Sequence, residues 1–378
     1  MNRIFFRSMV LVGLCAGLGC SSNNPAGPGD GGDAGGTDSG WNAVGTNGGE
    51  PSTGASYGRI AAGGGKVYVA YSDGNVNGQL TVMVSDGSTW SPVGAAGFSP
   101  SAVDPSNLAI AVDASGAPWV AYTMTDSGSG DSVITVEKYS GGSWSLQGAG
   151  GFSSNSATIS LAIAGGAPYV AFVDSTGAGH VMTLGSAWTE LGGLSSAPTS
   201  VENPVLGTDG TTVYVAYDDY DTSKLVLAKL AGSTWTTVAS TTITIDDNWS
   251  PSVSVSNGTV WIGYENSTSG PVVMQLVGSS LENVGSLGSI ANGDEIETVT
   301  STVYNGVPYV AFDDESRDSD PDPRAATVKY WDGTQWALYA GYPNPCDIED
   351  TVITSDPSNG HLYLTYQDCN GFMSVVVH

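Results

Sequence analysis

The sequence predicts an all-β fold, a seven-bladed β-propeller of four-stranded blades, and three observations carry that prediction. The first is a short apolar run ending in an aromatic residue. It recurs as VYVAY to Tyr71, PWVAY to Tyr122, PYVAF to Phe172, VYVAY to Tyr217, VWIGY to Tyr264, PYVAF to Phe312 and LYLTY to Tyr366. The steps are 51, 50, 45, 47, 48 and 54 residues, which is the period of a repeat architecture. The second is a small-residue turn before Trp90, Trp144, Trp188, Trp235 and Trp336, with Leu281 in the same place after GSS. The third lies at the ends. The last repeat stops at His378 after a third strand, while Trp41-Asn42-Ala43-Val44-Gly45 matches the fourth-strand pattern Trp90-Ser91-Pro92-Val93-Gly94. The N-terminal strand therefore completes the last blade and closes the ring, leaving no long strand edge exposed.

Composition agrees. Of 378 residues 53 are Gly and 40% are hydrophobic, enough turn-formers and enough core for a chain of short strands. The 37 acidic residues outnumber 10 basic ones, for a formal net charge of −27. Phosphate contacts need clustered Lys and Arg, so nucleic acid is excluded as a partner.

In chain order, residues 1–19 read as an export signal. Arg3 and Arg7 precede an apolar stretch, Met9 to Leu18, too short for a spanning helix of roughly 20 residues. Gly17-Leu18-Gly19-Cys20 resembles the lipobox of bacterial lipoproteins, which implies cleavage before Cys20 and acylation of Cys20; Gly17 stands where that family usually has Leu. A plain secretory signal is the alternative. Ser21, where retention signals carry Asp, implies by the same resemblance the outer membrane or cell surface, with the membrane met only through the lipid anchor. Residues 20–40 hold no large apolar side chain beyond Cys20 and form a Gly-rich tether with a mean reach of about 25 Å. The propeller occupies 41–378. Without Arg3 and Arg7 the charge is 8 − 37, or −29.

Within each period four strand-sized runs are separated by Gly, Asn, Asp and Ser turns. In the second they are Asn107–Val112, Pro118–Thr123, Val133–Tyr139 and Ser143–Gln147. Asn107, Ala109 and Ala111 alternate with Leu108, Ile110 and Val112, and small residues on one face suit the innermost strand of a blade. In the closing blade Cys346 precedes the innermost strand and Cys369 follows the second. Both fall at one end of one hairpin, which in an oxidising compartment predicts a Cys346–Cys369 disulfide.

The alternation of PYVAY-type strands with DGSTW-type hairpins resembles seven-bladed propeller repeat lipoproteins of bacteria, over residues 41–378. The turn before each Trp also resembles a degenerate Asp-box of sialidase-like propellers. Ser85-Asp86-Gly87-Ser88-Thr89-Trp90 is one residue short of that box, and only Asp86 and Asp332 keep its acid. In that family the box is a folding element. Sialidases also gather three arginines, whereas this chain past its signal has Arg59, Arg317 and Arg324, the last two in one loop. Sialidase activity is not expected.

Candidate chemistry gathers on one rim. Two residues beyond the aromatic of each second strand stand Asp73, Asp174, Asp219, Asp314 and Asp368, interrupted by Met124 and Asn266. The loops entering the blades add Asp104, Asp246, Asp247, Asp294, Glu295, Asp347, Glu349 and Asp350. Together they predict a negative rim able to concentrate a cation, a glycan or a basic protein segment. The alternative is that each recurrent Asp caps a turn. Asp318, Asp320 and Asp322 alternate as calcium ligands do, although Pro323 and Arg324 follow where a calcium loop has Gly; Asp218, Asp219 and Asp221 form a weaker cluster. Trp249 beside Asp246-Asp247-Asn248 is a candidate sugar platform, with Tyr220 and Tyr342 behind it. His180, His361 and His378 are read as structural and off the rim. No nucleophile or phosphate-loop motif is present. The expected function is a lipid-anchored envelope binding module. The alternatives are a carbohydrate-active enzyme, a hydrolase or lyase using rim carboxylates, or an architectural envelope protein.

Overall fold

The computed structural model describes residues 40–45, 51, 55–153, 157–194, 200–243, 251–266, 270–287, 298–314, 325–341, 343, 348–368 and 372–378. The chain opens with β1 (Asn42–Ala43) and then builds blade 1 from β2 (Ala55–Gly63), β3 (Lys66–Asp73), β4 (Gln79–Ser85) and β5 (Trp90–Pro92). Blade 2 holds β6 (Leu108–Val112), β7 (Pro118–Thr125), β8 (Ser132–Ser140) and β9 (Ser143–Leu146); blade 3 holds β10 (Ala157–Ala164), β11 (Ala167–Val173), β12 (Gly179–Leu184) and β13 (Trp188–Glu190). Blade 4 is β14 (Val201–Thr208), β15 (Val213–Asp219), β16 (Lys224–Ala231) and β17 (Thr234–Thr242); blade 5 is β18 (Ser252–Ser256), β19 (Thr259–Asn266), β20 (Gly270–Val277) and β21 (Ser280–Asn283). Blade 6 is β22 (Val299–Tyr304), β23 (Val307–Asp314), β24 (Ala325–Trp331) and β25 (Trp336–Leu338). Blade 7 begins with β26 (Glu349–Asp356), β27 (His361–Gln367) and β28 (Met373–Val377).

Each blade is an antiparallel meander, and β1 supplies the fourth strand of blade 7. Asn42 pairs with Val377 and Ala43 with Val376, and the Val44 amide donates to the Val375 carbonyl at 2.9 Å. The seven inner strands touch in a closed ring, β26 meeting β2. Among the described residues no helix is long and apolar enough to cross a membrane.

The core is not one mass but seven wedges, one in each seam between neighbouring blades. Second strands are buried on both faces, so their period-two alternation feeds two seams at once. In blade 1, Val67, Val69 and Tyr71 face blade 7, while Tyr68 and Ala70 face blade 2. The recurrent pattern of two aromatics three apart thus sends one ring to each neighbour.

The Trp signature has a second, directional role. Trp90 Nε1 donates to the Val44 carbonyl at 2.8 Å, Trp144 to Val93 at 2.7 Å, Trp188 to Gln147 at 2.9 Å and Trp336 to Val284 at 2.5 Å. Each acceptor lies three residues beyond the Trp, or Leu281, of the preceding blade. The next residue is Gly45, Gly94, Gly148 or Gly285, all at positive φ; at the first three a Cβ would press on the arriving indole ring, and at Gly285 on the neighbouring Trp331. Glycine is required there twice, for the left-handed backbone and for the ring. These four tryptophans are therefore perimeter staples, only partly buried except Trp336, while the Trp235 indole nitrogen makes no such bond.

Candidate functional site

Four inner strands, β2, β10, β14 and β26, shift register near their first residues, in three of them with a non-glycine residue at positive φ: Thr158, Asn203 and Asp350. These bulges re-aim side chains at the same end of the ring as the turns that follow the second strands. That end carries the recurrent aspartates, and the structure gives each a local partner. Asp73 is buried and accepts from the Asn75 amide at 2.9 Å and from Thr81 Oγ1 at 2.9 Å. Asp174 accepts from the Thr176 amide and hydroxyl and from the Ala178 amide. Asp219 accepts from the Thr222 amide at 3.2 Å, Asp314 from Thr327 Oγ1 at 3.3 Å and Asp368 from the Phe372 amide at 3.1 Å. For Asp73, Asp174, Asp219 and Asp368 the recurrence follows from that of the hairpin, whose turn amides the carboxylates satisfy, while Asp314 accepts from a hydroxyl of the next strand.

His180 corrects the expectation that the histidines stand off this rim. The strand β12 starts at Gly179, so His180 pairs with Phe172 right at the turn. Its Nε2 lies 3.1 Å from Asp174 Oδ2, its Nδ1 lies 2.9 Å from Glu190 Oε1, and its ring stacks on Phe172. Burial alone would lower the His180 pKa, but Glu190 and Asp174 outweigh it and raise it. Burial would likewise raise Asp174, yet Thr176, His180 and the turn amides draw it down to about 2.

One residue earlier in the second strands, the alternation points the opposite way, into the following seam. In blades 4 and 6 that position holds Asp218 and Asp313, both buried, at 1% and 0% exposure. The Asp218-Asp219-Asp221 cluster is thus split. Asp218 turns inward, Asp219 caps the hairpin, and Asp221 accepts from the Ser200 amide at 3.1 Å. Burial pushes Asp218 up to about 8, with the Asn203 side chain pulling down and Glu202 adding to the rise. On blade 7, burial raises Asp350 while Arg59 of blade 1 opposes it. The doubled acids in YDD and FDD were the signal for these inward-facing groups. Period two places neighbouring acids on opposite faces.

The opposite end of the ring holds a cavity of about 340 Å³ between blades 1 and 2, a place the sequence reading did not single out. Tyr68 and Tyr139 supply rings, Lys66 and Ser115 polar groups, and Pro92 and Pro118 apolar walls. One wall is the β6–β7 turn, and Asp113 fixes it. Its carboxylate accepts from the Ser115 and Ala117 amides, from Trp119 Nε1 at 3.0 Å and from Lys138 Nζ at 2.8 Å. Burial opposes ionisation of Asp113, but these bonds hold it well below the usual carboxylate range. Tyr68 donates to the Gly116 carbonyl at 3.0 Å, tying the two blades together beside the cavity. Behind Tyr139, Trp144 stacks on Phe98 at 4.5 Å.

Among the described residues no group of three or more His, Cys, Asp or Glu is gathered to hold a metal ion. Cys20, Trp249, Asp318, Asp320, Asp322, Cys346 and Cys369 lie outside the described residues, as do Arg317, Arg324 and Tyr342.

No protein-family profile matches the sequence, and no curated protein matches it. Solved structures do match. A structure titled YjhT is 11% identical over 77% of this chain and 99% of that chain, with a TM-score of 0.50. The SapL1 lectin in complex with alpha methyl fucoside is 14% identical over 78% of this chain and 99% of its own, with a TM-score of 0.48. The fucose-specific lectin of Aleuria aurantia is 16% identical over 76% and 94%, with a TM-score of 0.48. At these identities the likeness is one of fold alone.

Proposed function

We propose that the protein is an exported, lipid-anchored binding module of the bacterial cell envelope that takes a glycan in the cavity between blades 1 and 2. The observation that carries this reading is the composition of that cavity, the ring of Tyr139 with the nearly buried Tyr68 beside it, an ammonium and a hydroxyl, in about 340 Å³. Aromatic faces suit the apolar face of a sugar ring, and a few fixed polar groups set its orientation. The wall held by Asp113 and the Tyr68–Gly116 bond supports a preformed site, so little ordering entropy opposes binding. The anchor rests on the resemblance of Gly17-Leu18-Gly19-Cys20 to a lipobox.

A glycan array probed with the full-length chain tests the first half. Retention of particular glycans by the wild type, lost in Tyr139→Ala with the fold intact by circular dichroism, is the expected result. Retention of none, or unchanged retention in Tyr139→Ala, sinks it. Membrane fractionation tests the second half, where Cys20→Ser should move the protein to the soluble fraction.

A second reading places a basic protein segment on the acid-bearing end. It is favoured by the aspartates that close the hairpins there and by the net charge of −27. Binding of that kind weakens steeply between low and physiological salt, whereas binding of a neutral sugar does not.

A further inference from the structure

Blade 4 carries a cross-strand pair of carboxylates at the start of its inner strand. Glu202 of β14 stands directly opposite Asp218 of β15, so the two side chains share the face turned toward blade 5. The same register position holds Ser56 and Ser72 in blade 1, Ala157 and Val173 in blade 3, and Glu349 and Gln367 in blade 7. Of these four pairs, only that of blade 4 opposes two acids, and like charges directly across a ladder repel.

Asp218 sharpens the problem. It is 1% exposed, and neither of its carboxylate oxygens makes a hydrogen bond of ordinary geometry, although the Asn203 side chain is near enough to act on it. An isolated buried carboxylate beside a second acid is costly unless a proton or a cation joins them. Asn203 occupies the bulge between Glu202 and Val205 with φ of 48°, a left-handed conformation, and its side chain acts on Asp218.

We propose that Glu202, Asn203 and Asp218 form a calcium site in the seam between blades 4 and 5. Two carboxylates and an amide oxygen are hard ligands, and water completes a coordination shell of 6–8 oxygens, roughly the number calcium takes. Magnesium demands a stricter octahedron than a strand pair and a bulge supply. Glu202 is only partly buried, which leaves the ion a way in. The site is independent of the glycan cavity at the other end of the ring.

The test is calcium chloride titrated into the full-length chain, read by calorimetry and by thermal unfolding. The wild type should bind saturably and melt at higher temperature with calcium. Asp218→Asn and Glu202→Gln keep side-chain shape and should each weaken binding by about tenfold or more, from the loss of one anionic ligand. Glu349→Gln, the blade 7 counterpart, should leave binding unchanged. Glu202 is partly exposed, so its variant serves even if Asp218→Asn folds poorly. Three results overturn the proposal. One is the absence of a saturable response in the wild type. Another is a response in both blade 4 variants as strong as in the wild type, which would move the ion elsewhere, such as Asp318 to Asp322. The third is a wild-type melt that responds to pH between 5 and 8.5 but not to calcium, which would leave the pair holding only a proton.

Discussion

The seam between blades 1 and 2 and the seam between blades 4 and 5 close the same ring with different parts. In the first, Trp144 donates to the Val93 carbonyl, lies over Gly94 at φ of 79°, and stacks on Phe98. In the second, Leu281 replaces the indole and Ala239 replaces the glycine, so donor and receiver are lost together. The outer strand changes in step. β17 runs nine residues where β5 and β9 run three and four, and it reaches β21 of the next blade. Val238, Ile243, Leu276 and Leu281 pack there as an aliphatic patch. A hydrogen-bonded indole fixes one blade against the next through a single directed contact. Aliphatic side chains carry no direction, so this seam relies on area and a longer strand. The seam built from undirected contacts is also the one whose opposite end holds Glu202 and Asp218.

Breaking the staple should show the largest effect. Trp144→Ala is expected to cost about 3 kcal/mol, the low end for large aromatic truncation because the ring is partly exposed. Leu281→Ala should cost about 1–2 kcal/mol, below the range for fully buried leucines. Denaturant unfolding with an unchanged m-value checks both, and equal losses would erase the distinction between the seams. Next in size, Gly94→Ala should cost about 1–2 kcal/mol from the left-handed backbone, with the Trp144 contact at 3.2 Å added. Ala239→Gly should cost about 0.5–1 kcal/mol, from chain entropy in a strand.

The acid pair gives a prediction with a definite sign. Burial holds Asp218 at about 8 in the folded chain, above its unfolded value near 4. The folded state therefore binds the extra proton between about pH 4 and 8, and calcium-free stability should fall as pH rises through that window. Asp218→Asn should flatten the slope, and a slope that persists in the variant would assign it to another group. The smallest effect is expected at His180, whose raised pKa adds stability below its unfolded value and loses it as pH climbs past the folded one. His180→Gln should remove that contribution while leaving the stability at pH 9 nearly unchanged. Melting curves at pH 5.5 and pH 9 check it.

Much of the fold was legible because a blade strand buried on both faces must alternate, and seven alternating runs at one spacing admit few arrangements. The ring closure was legible for a similar reason, since Trp41 to Gly45 carries the same Trp-x-x-Val-Gly pattern as Trp90 to Gly94. The site was legible only in part. The recurrent aspartates could be located on one rim, but whether Asp73 or Asp174 faces a ligand or a turn amide depends on hydrogen bonds that spacing does not encode. His180 fell to the rim because β12 begins one residue before it.

What the sequence determined by itself was everything set by period: an all-β chain, seven blades, the closing strand, and the turn residues between strands. Periodicity is a property of neighbours in the chain, and neighbours are what a sequence states. What only the tertiary structure decided was which residues meet across a seam. Tyr68 and Gly116 border one cavity from positions 48 apart, and Asp218 and Asp219 part company although they are adjacent. A strand turns consecutive side chains to opposite blades, so their partners, charges and chemistry are chosen by the ring and not by the order of residues along it.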